Sequence, residues 1–320
     1  MMAELSTVSL PPTSGVEYNK TGCRLFDAPP GSIYSFTWLI CLFGLVGNGI
    51  VLWFLGFHIK RNPFTIYILN LAVSDTFFLL CSTAYLIVCV VEYPFCVNVV
   101  FIYIFLLFNV LALLTYSTSL YLLTAISTER CLSVLYPIWH RCHRPKHLSA
   151  IVCALLWALS TLIYCPVGVF CIVLPGENCF ISFLPMCFLN VLIFTPIMVL
   201  SSLTLFIKVR HSSQRHQPGK LYAVILFTVL FFLLFTVPQS VQIFLLYHHI
   251  FDSRLSSEIF HMLASASSGI NPFIYFLVGS YGKRRFCGSI KVALQRVFEE
   301  KTDSREDGET TSAEPMNTVT

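Results

Sequence analysis

Seven apolar runs, at approximately 33–57, 64–91, 97–127, 148–170, 180–207, 221–247 and 259–278, hold a single charged residue among them, Asp75. A helix needs roughly 20 apolar residues to cross a bilayer, because backbone amides in hydrocarbon must satisfy one another within the segment. Each run meets that length, and none is left over for an eighth crossing. The fold class expected is therefore all-α, an integral membrane seven-transmembrane helix bundle. With 56% hydrophobic and 11% charged residues, a soluble enzyme is excluded, and a net charge of +4 is too small and dispersed for a nucleic-acid binder.

Orientation follows from the basic residues, since Lys and Arg near span ends are retained in the cytoplasm. Only Lys20, Arg24 and Arg254 fall on one side of the seven runs, and the other seventeen Lys and Arg fall on the opposite side. The amino terminus is thus expected outside the cell. Residues 1–32 hold no apolar core like that of a signal peptide, so the first run reads as an uncleaved signal anchor. Asn19-Lys20-Thr21 in this segment is a glycosylation acceptor once it reaches the secretory lumen. Short connections leave no room for an inserted soluble domain, so 33–278 reads as one membrane domain. After it, 279–298 places Phe286, Ile290, Ala293, Leu294 and Val297 on one face, the spacing of an amphipathic helix lying on the inner leaflet. Residues 299–320 are acidic, rich in Ser and Thr and nearly without apolar side chains, a composition expected to be disordered.

A carboxylate deep in a bilayer is costly and usually faces the bundle interior with a partner or a task. Asp75 fits a structural hydrogen-bond hub and equally a cation or proton site, with Ser119, Ser267 and Asn271 on other spans completing a small oxygen cage. Sodium is the candidate cation; no other cofactor and no metal centre is expected. At the end of the third run Glu129-Arg130-Cys131 sets opposite charges side by side where apolar helix meets cytosol, an arrangement that can act as a two-state latch. Asn271-Pro272-Phe273-Ile274-Tyr275 makes a hinge, because proline removes one backbone bond and the asparagine side chain can reach the freed groups. Pro196 and Pro238 weaken the fifth and sixth runs in the same way.

Most of the thirteen cysteines fall inside the runs or on the inner side, as small packing residues. Cys23, Cys96, Cys171 and Cys179 remain for the outer side, without ligand spacing for zinc. Cys171 and Cys179 flank Leu174-Pro175-Gly176-Glu177, a turn signal that can bring the two sulfurs together, and a bridge closing that loop contributes about 2.5 kcal/mol.

Asn48, Asp75 within Leu71-Ala72-Val73-Ser74-Asp75, Glu129-Arg130-Cys131, Trp157, Pro196, Pro238 and Asn271 to Tyr275 fall one set per run, in order. This pattern resembles the rhodopsin-like G-protein-coupled receptors. The stretches from Tyr121 to Ala150 and from Arg61 to Ala72 resemble their Mas-related branch, and the likeness extends from about Ile33 to Glu300. The resemblance implies a plasma-membrane receptor that takes an unknown extracellular ligand, peptide or small molecule. Its sixth span would swing outward so that a heterotrimeric G protein docks against Arg130 and the inner loops.

Several positions depart from the rhodopsin-like pattern. Phe105 stands about where a cysteine normally bridges the third span to the second outer loop. Mas-related receptors tend to bridge the fourth and fifth spans instead, which matches Cys171 and Cys179. Thr236 replaces the aromatic toggle before Pro238, Thr204 lies near the place of an inner tyrosine, and Pro218 stands near an acidic latch partner's usual position. Val167 and Phe183 occupy the places where relatives hold acidic residues for cationic ligands, which disfavours such a ligand there. Asn109, Tyr116, Gln239, Gln242, Tyr247 and Glu258 are the candidate pocket lining.

Arrestin and receptor kinases are further expected partners, because Thr302, Ser304, Thr310, Thr311 and Ser312 lie among acidic residues of the tail. Cys287 is a palmitoylation candidate. The rival from another class is a polytopic ion or solute transporter using Asp75. No internal repeat supports it. One intramembrane aspartate is too few for an aspartyl protease, and no lysine lies in 259–278 to carry retinal.

Overall fold

The computed structural model describes residues 31–58, 62–92, 99–145, 147–173, 184–211, 227, 229, 230, 233 and 254–280, and every element among them is helical. In chain order these are α1 (Gly31–Phe57), α2 (Pro63–Glu92), α3 (Val99–Leu135), α4 (Pro137–Cys142), α5 (Leu148–Val173), α6 (Leu184–Phe188), a π-helical segment (Leu189–Phe194), α7 (Thr195–His211) and α8 (Arg254–Ser280). Among the described residues, five helical stretches are long and apolar enough to cross a membrane: Ser32–Phe57, Pro63–Val88, Leu106–Leu135, Leu148–Cys171 and Pro185–Lys208. The last of these runs through α6, the π-helical segment and most of α7. The seventh expected run is α8, whose buried face carries Glu258, Ser265, Ser267, Ser268 and Asn271 and is correspondingly more polar. Most of the sixth run, and residues 281–320 with the expected amphipathic helix and tail, lie outside the described residues.

Local chemistry sets the ends. α2 starts with Asn62 as cap and Pro63 as its first residue, where the missing N–H costs nothing. The Thr65 N–H donates to Asn62 Oδ1 at 2.7 Å, and the Asn62 N–H donates to Thr65 Oγ1 at 2.8 Å, a reciprocal capping box. α3 runs to Leu135, past the expected end at 127, because Glu129, Arg130 and Ser133 continue the helix where it leaves the apolar layer.

α3 lies at the centre, against α2, α5 and α7, while α1 packs on α2 and α8. The core between them holds Leu71, Phe78, Leu79, Leu120, Tyr121 and Tyr275. Phe43, Val46 and Trp53 on α1, Leu162 on α5 and Leu200 on α7 are exposed, the outward apolar faces expected of helices in lipid. Small residues allow α1 and α8 to meet closely, since a Cβ added to Gly44 would lie 2.9 Å from the Gly269 Cα. There Asn48 Nδ2 donates to the Gly44 carbonyl at 3.0 Å and to the Ser268 carbonyl of α8 at 3.2 Å.

The fifth run is not one regular helix. The Thr195 N–H donates to the carbonyl of Asn190, five residues back, so the turn before Pro196 is widened by one residue. Proline cannot donate to the helix ladder, and a wide turn in front of it absorbs the mismatch.

Candidate functional site

Two sets of buried polar side chains lie along the bundle, and a third sits where α2, α3 and α5 meet near Arg130. The first is centred on Asp75 of α2, which is 1% exposed. Ser119 of α3 donates from Oγ to Asp75 Oδ1 at 2.9 Å, and Asn271 of α8 donates from Nδ2 to Asp75 Oδ2 at 2.8 Å. Thus three helices distant in sequence meet on one carboxylate. Three of the four expected cage residues come together through these bonds. Ser267 is buried on α8, but among the described residues its hydroxyl has no hydrogen-bond partner, and Ser268 Oγ and Asn48 Oδ1 are likewise buried and unsatisfied there. Pro272, directly after Asn271, is buried against Gly47 of α1, and Tyr275 is buried one turn further on.

The second set was not foreseen from the sequence. The Tyr121 hydroxyl donates to Asn190 Oδ1 at 2.8 Å, Asn190 Nδ2 donates to Ser117 Oγ at 3.1 Å, and Ser117 in turn bonds the Tyr164 hydroxyl. All four are buried, and they join α3, α5 and the π-helical segment. The Tyr121 ring stacks on Phe194 with centroids 3.9 Å apart. Asn190 therefore holds the wide turn by its carbonyl and α3 by its side chain. Nearby, Trp157 Nε1 donates to Asn70 Oδ1 of α2 at 3.2 Å.

At the Arg130 end, the Arg130 guanidinium carbon lies 4.2 Å from the centre of the Phe64 ring, a cation–π contact. Asn62, Pro63, Phe64, Tyr67, Ile126, Glu129 and Arg130 line a pocket of about 80 Å³ there. Glu129 forms a salt bridge with Arg144, in the connection between α4 and α5, and Arg144 Nη2 also donates to Ser149 Oγ at the start of α5. The buried Tyr67 lines this pocket beside Glu129. Arg144, Ser149 and Tyr67 were not singled out from the sequence. Arg144 there is one of many cations, and nothing in its spacing from Glu129 selects it.

At the opposite end of α2 and α8, the Tyr85 hydroxyl donates to Glu258 Oε1 at 3.1 Å, with the Tyr85 and His261 rings 4.9 Å apart. Tyr116 is buried against Phe78, ring centroids 5.2 Å apart, while Asn109 on the same helix is half-buried. Gln239, Gln242, Tyr247, Pro238, Thr236, Pro218 and Asn19 lie outside the described residues. Cys171 is buried and disulfide-bonded, and Cys179, its expected partner, also lies outside them. Among the described residues no group of three or more His, Cys, Asp or Glu is placed to hold a metal.

Comparison with known proteins gives a family match and close relatives. Residues 47–275 match the model of the 7 transmembrane receptor (rhodopsin family). Proto-oncogene Mas of Rattus norvegicus is 44% identical over 281 residues, covering 85% of this chain and 86% of that protein. Mas-related G-protein coupled receptor member D of Macaca fascicularis is 43% identical, covering 86% of this chain and 87% of its own. Member H of Rattus norvegicus is 45% identical, covering 83% of each.

Proposed function

The chain belongs to the rhodopsin family of seven-transmembrane receptors, with Mas and the Mas-related receptors as relatives, and from that premise we propose how it works. It is a receptor of the plasma membrane, crossing it several times, with G proteins as the partners its family implies. Our reading is that residues 1–32 lie outside the cell, 33–278 form the bundle, and 279–298 and 299–320 are an inner-surface helix and a tail open to kinases and arrestin. An extracellular ligand, peptide or small molecule, binds at the end holding Tyr116 and Glu258. The signal passes to Glu129 and Arg130, where a heterotrimeric G protein docks.

The observation that supports this reading is the junction at Asp75. A carboxylate bonded at once to α3 and α8 couples any displacement of one helix to the other, with the Asn271-Pro272 break directly beside it. Family members of this kind work by such small helix shifts between bistable packings. The same junction fits a sodium ion: Ser267, Ser268 and Asn48 leave three buried oxygens unsatisfied on α1 and α8, and an oxygen donor set with one carboxylate suits a hard monovalent cation. Bound there, sodium would favour the packing in which those oxygens converge.

The test is guanine-nucleotide exchange on a panel of G proteins with the full chain at the cell surface, screened against peptides and small molecules. Exchange abolished by Arg130→Ala with surface expression preserved supports the receptor mechanism. Substrate-dependent current or uptake without exchange would support the transporter instead.

A further inference from the structure

We propose that Arg144 is a positioning residue for coupling, and that its ion pair with Glu129 is the resting latch of this receptor. The pair holds the α4–α5 connection against α3, and its opening frees that connection and Arg130 for the G protein. The inference rests on the receptor reading above and specifies the regulation of its coupling end.

The charge inventory narrows the choices first. Segments 58–63, 128–147 and 208–220 carry ten Lys and Arg but only one carboxylate, Glu129. A latch running from Arg130 to an acid in 208–220 therefore has no acid to reach. Any acid–base latch within these segments must use Glu129, and the question is which cation it takes. The structure brings Arg144 to it, although fourteen residues and α4 intervene.

The surroundings suit a switch better than a static brace. The side chains of Arg144 and Glu129 are only 6% and 17% exposed, so the pair is largely desolvated. Ser149 accepts a second bond from Arg144, and Tyr67 lines the same pocket as Glu129, which brings α2, α3 and α5 together at one cluster. Yet Arg144 Nε is buried with no hydrogen-bond partner among the described residues, so the guanidinium is incompletely satisfied by them. It would bond more fully once released to water or to an incoming backbone carbonyl or carboxylate. Arg130 meanwhile lies over the Phe64 ring, beside the same pocket. Release of Glu129 from Arg144 changes the charge next to Arg130 without any change in the sixth span's own residues.

The experiment uses the full chain in lipid nanodiscs, with basal guanine-nucleotide exchange and backbone hydrogen exchange of 137–149 read by mass spectrometry. Arg144→Ala, Glu129→Gln, their double mutant and the charge swap Glu129→Arg/Arg144→Glu are compared with wild type, with Leu162→Ala on the exposed apolar face of α5 as control. Either single variant is expected to raise basal nucleotide exchange roughly 5- to 10-fold and to speed hydrogen exchange in 137–149. The double mutant adds nothing further, and the charge swap moves both readouts back toward wild type. Hydrogen exchange that responds this way, with no nucleotide exchange in any variant, keeps the latch and overturns the coupling reading. Single variants that leave hydrogen exchange at the wild-type rate, or effects that simply add in the double mutant, overturn the latch.

Discussion

The contact between α1 and α8 gives a sharp packing prediction, because α1 carries its own control. A Cβ on Gly44 would sit 2.7 Å from Leu79 Cδ1 and 2.9 Å from the Gly269 Cα, whereas a Cβ on Gly49 meets nothing within 4 Å. Carbon atoms rest at about 3.5–4.0 Å, so Gly44→Ala forces a gap to open on two sides. Leu79 is fully buried and cannot swing away, and Gly269 offers backbone, which cannot rotate at all. Inserting one methyl group into such a site costs about 1–3 kcal/mol. Both substitutions gain the same helix propensity, about 0.8–1 kcal/mol, so that term cancels when the two variants are compared. Gly44→Ala should therefore be less stable than Gly49→Ala by the packing cost alone. In thermal unfolding of the purified receptor, that difference appears as a midpoint gap of roughly 2–10 °C. If Gly44→Ala melts at or above Gly49→Ala, the close approach of α1 and α8 is wrong, and with it the placement of Asn48 against the Ser268 carbonyl.

Asn190→Ala strands the Tyr121 hydroxyl and one bond of Ser117 in an apolar interior and should cost about 2–4 kcal/mol; adding Tyr121→Phe should recover part of it, and unchanged melting would refute the network. Trp157→Phe removes the donor to Asn70 Oδ1 and should lower stability by about 1 kcal/mol, measured in the same assay, with no loss expected if the indole N–H is idle. Cys171→Ser and Cys179→Ser should each lower stability by about 2.5 kcal/mol and be equivalent to their double mutant; peptide mapping without reductant that finds Cys171 joined elsewhere would refute the pairing. Asn19→Gln should abolish the electrophoretic shift produced by glycosidase, and an unmodified wild type would refute an outward amino terminus carrying sugar.

The membrane helices were legible because hydrocarbon imposes one rule on every crossing segment, and an apolar run of sufficient length shows it without any tertiary knowledge. Asp75 was legible for the same reason: a lone carboxylate among apolar residues stands out by its cost. Its partners Ser119 and Asn271 followed from their depth on neighbouring spans; Ser267, one turn before Asn271, shares its helix face but makes no hydrogen bond to the carboxylate. Glu129 could be recognised as a switch residue, whereas its pairing with Arg144 could not. Ten basic residues compete for it along the sequence, and only the path of α4 decides which one arrives. Asn190 was invisible for a different reason. An asparagine in an apolar run reads as one polar interruption among several, and no glycine or proline inside 189–194 announces a change of helix type.

That change of helix type alters how the fifth span must be mapped. One surplus residue in the turn ahead of Pro196 rotates everything on its far side by about 100° relative to an unbroken α-helix. A helical wheel drawn outward from Pro196 would thus point Met186 and Cys187 in directions they do not take; Met186 is 3% exposed, packed in the cluster around Tyr164. Gap-free alignment of this span to a receptor lacking the extra residue will misassign every side chain from 185 to 189 by one position. Deleting a single residue there should reorient that whole stretch at once, while leaving the half below Pro196 in its original phase.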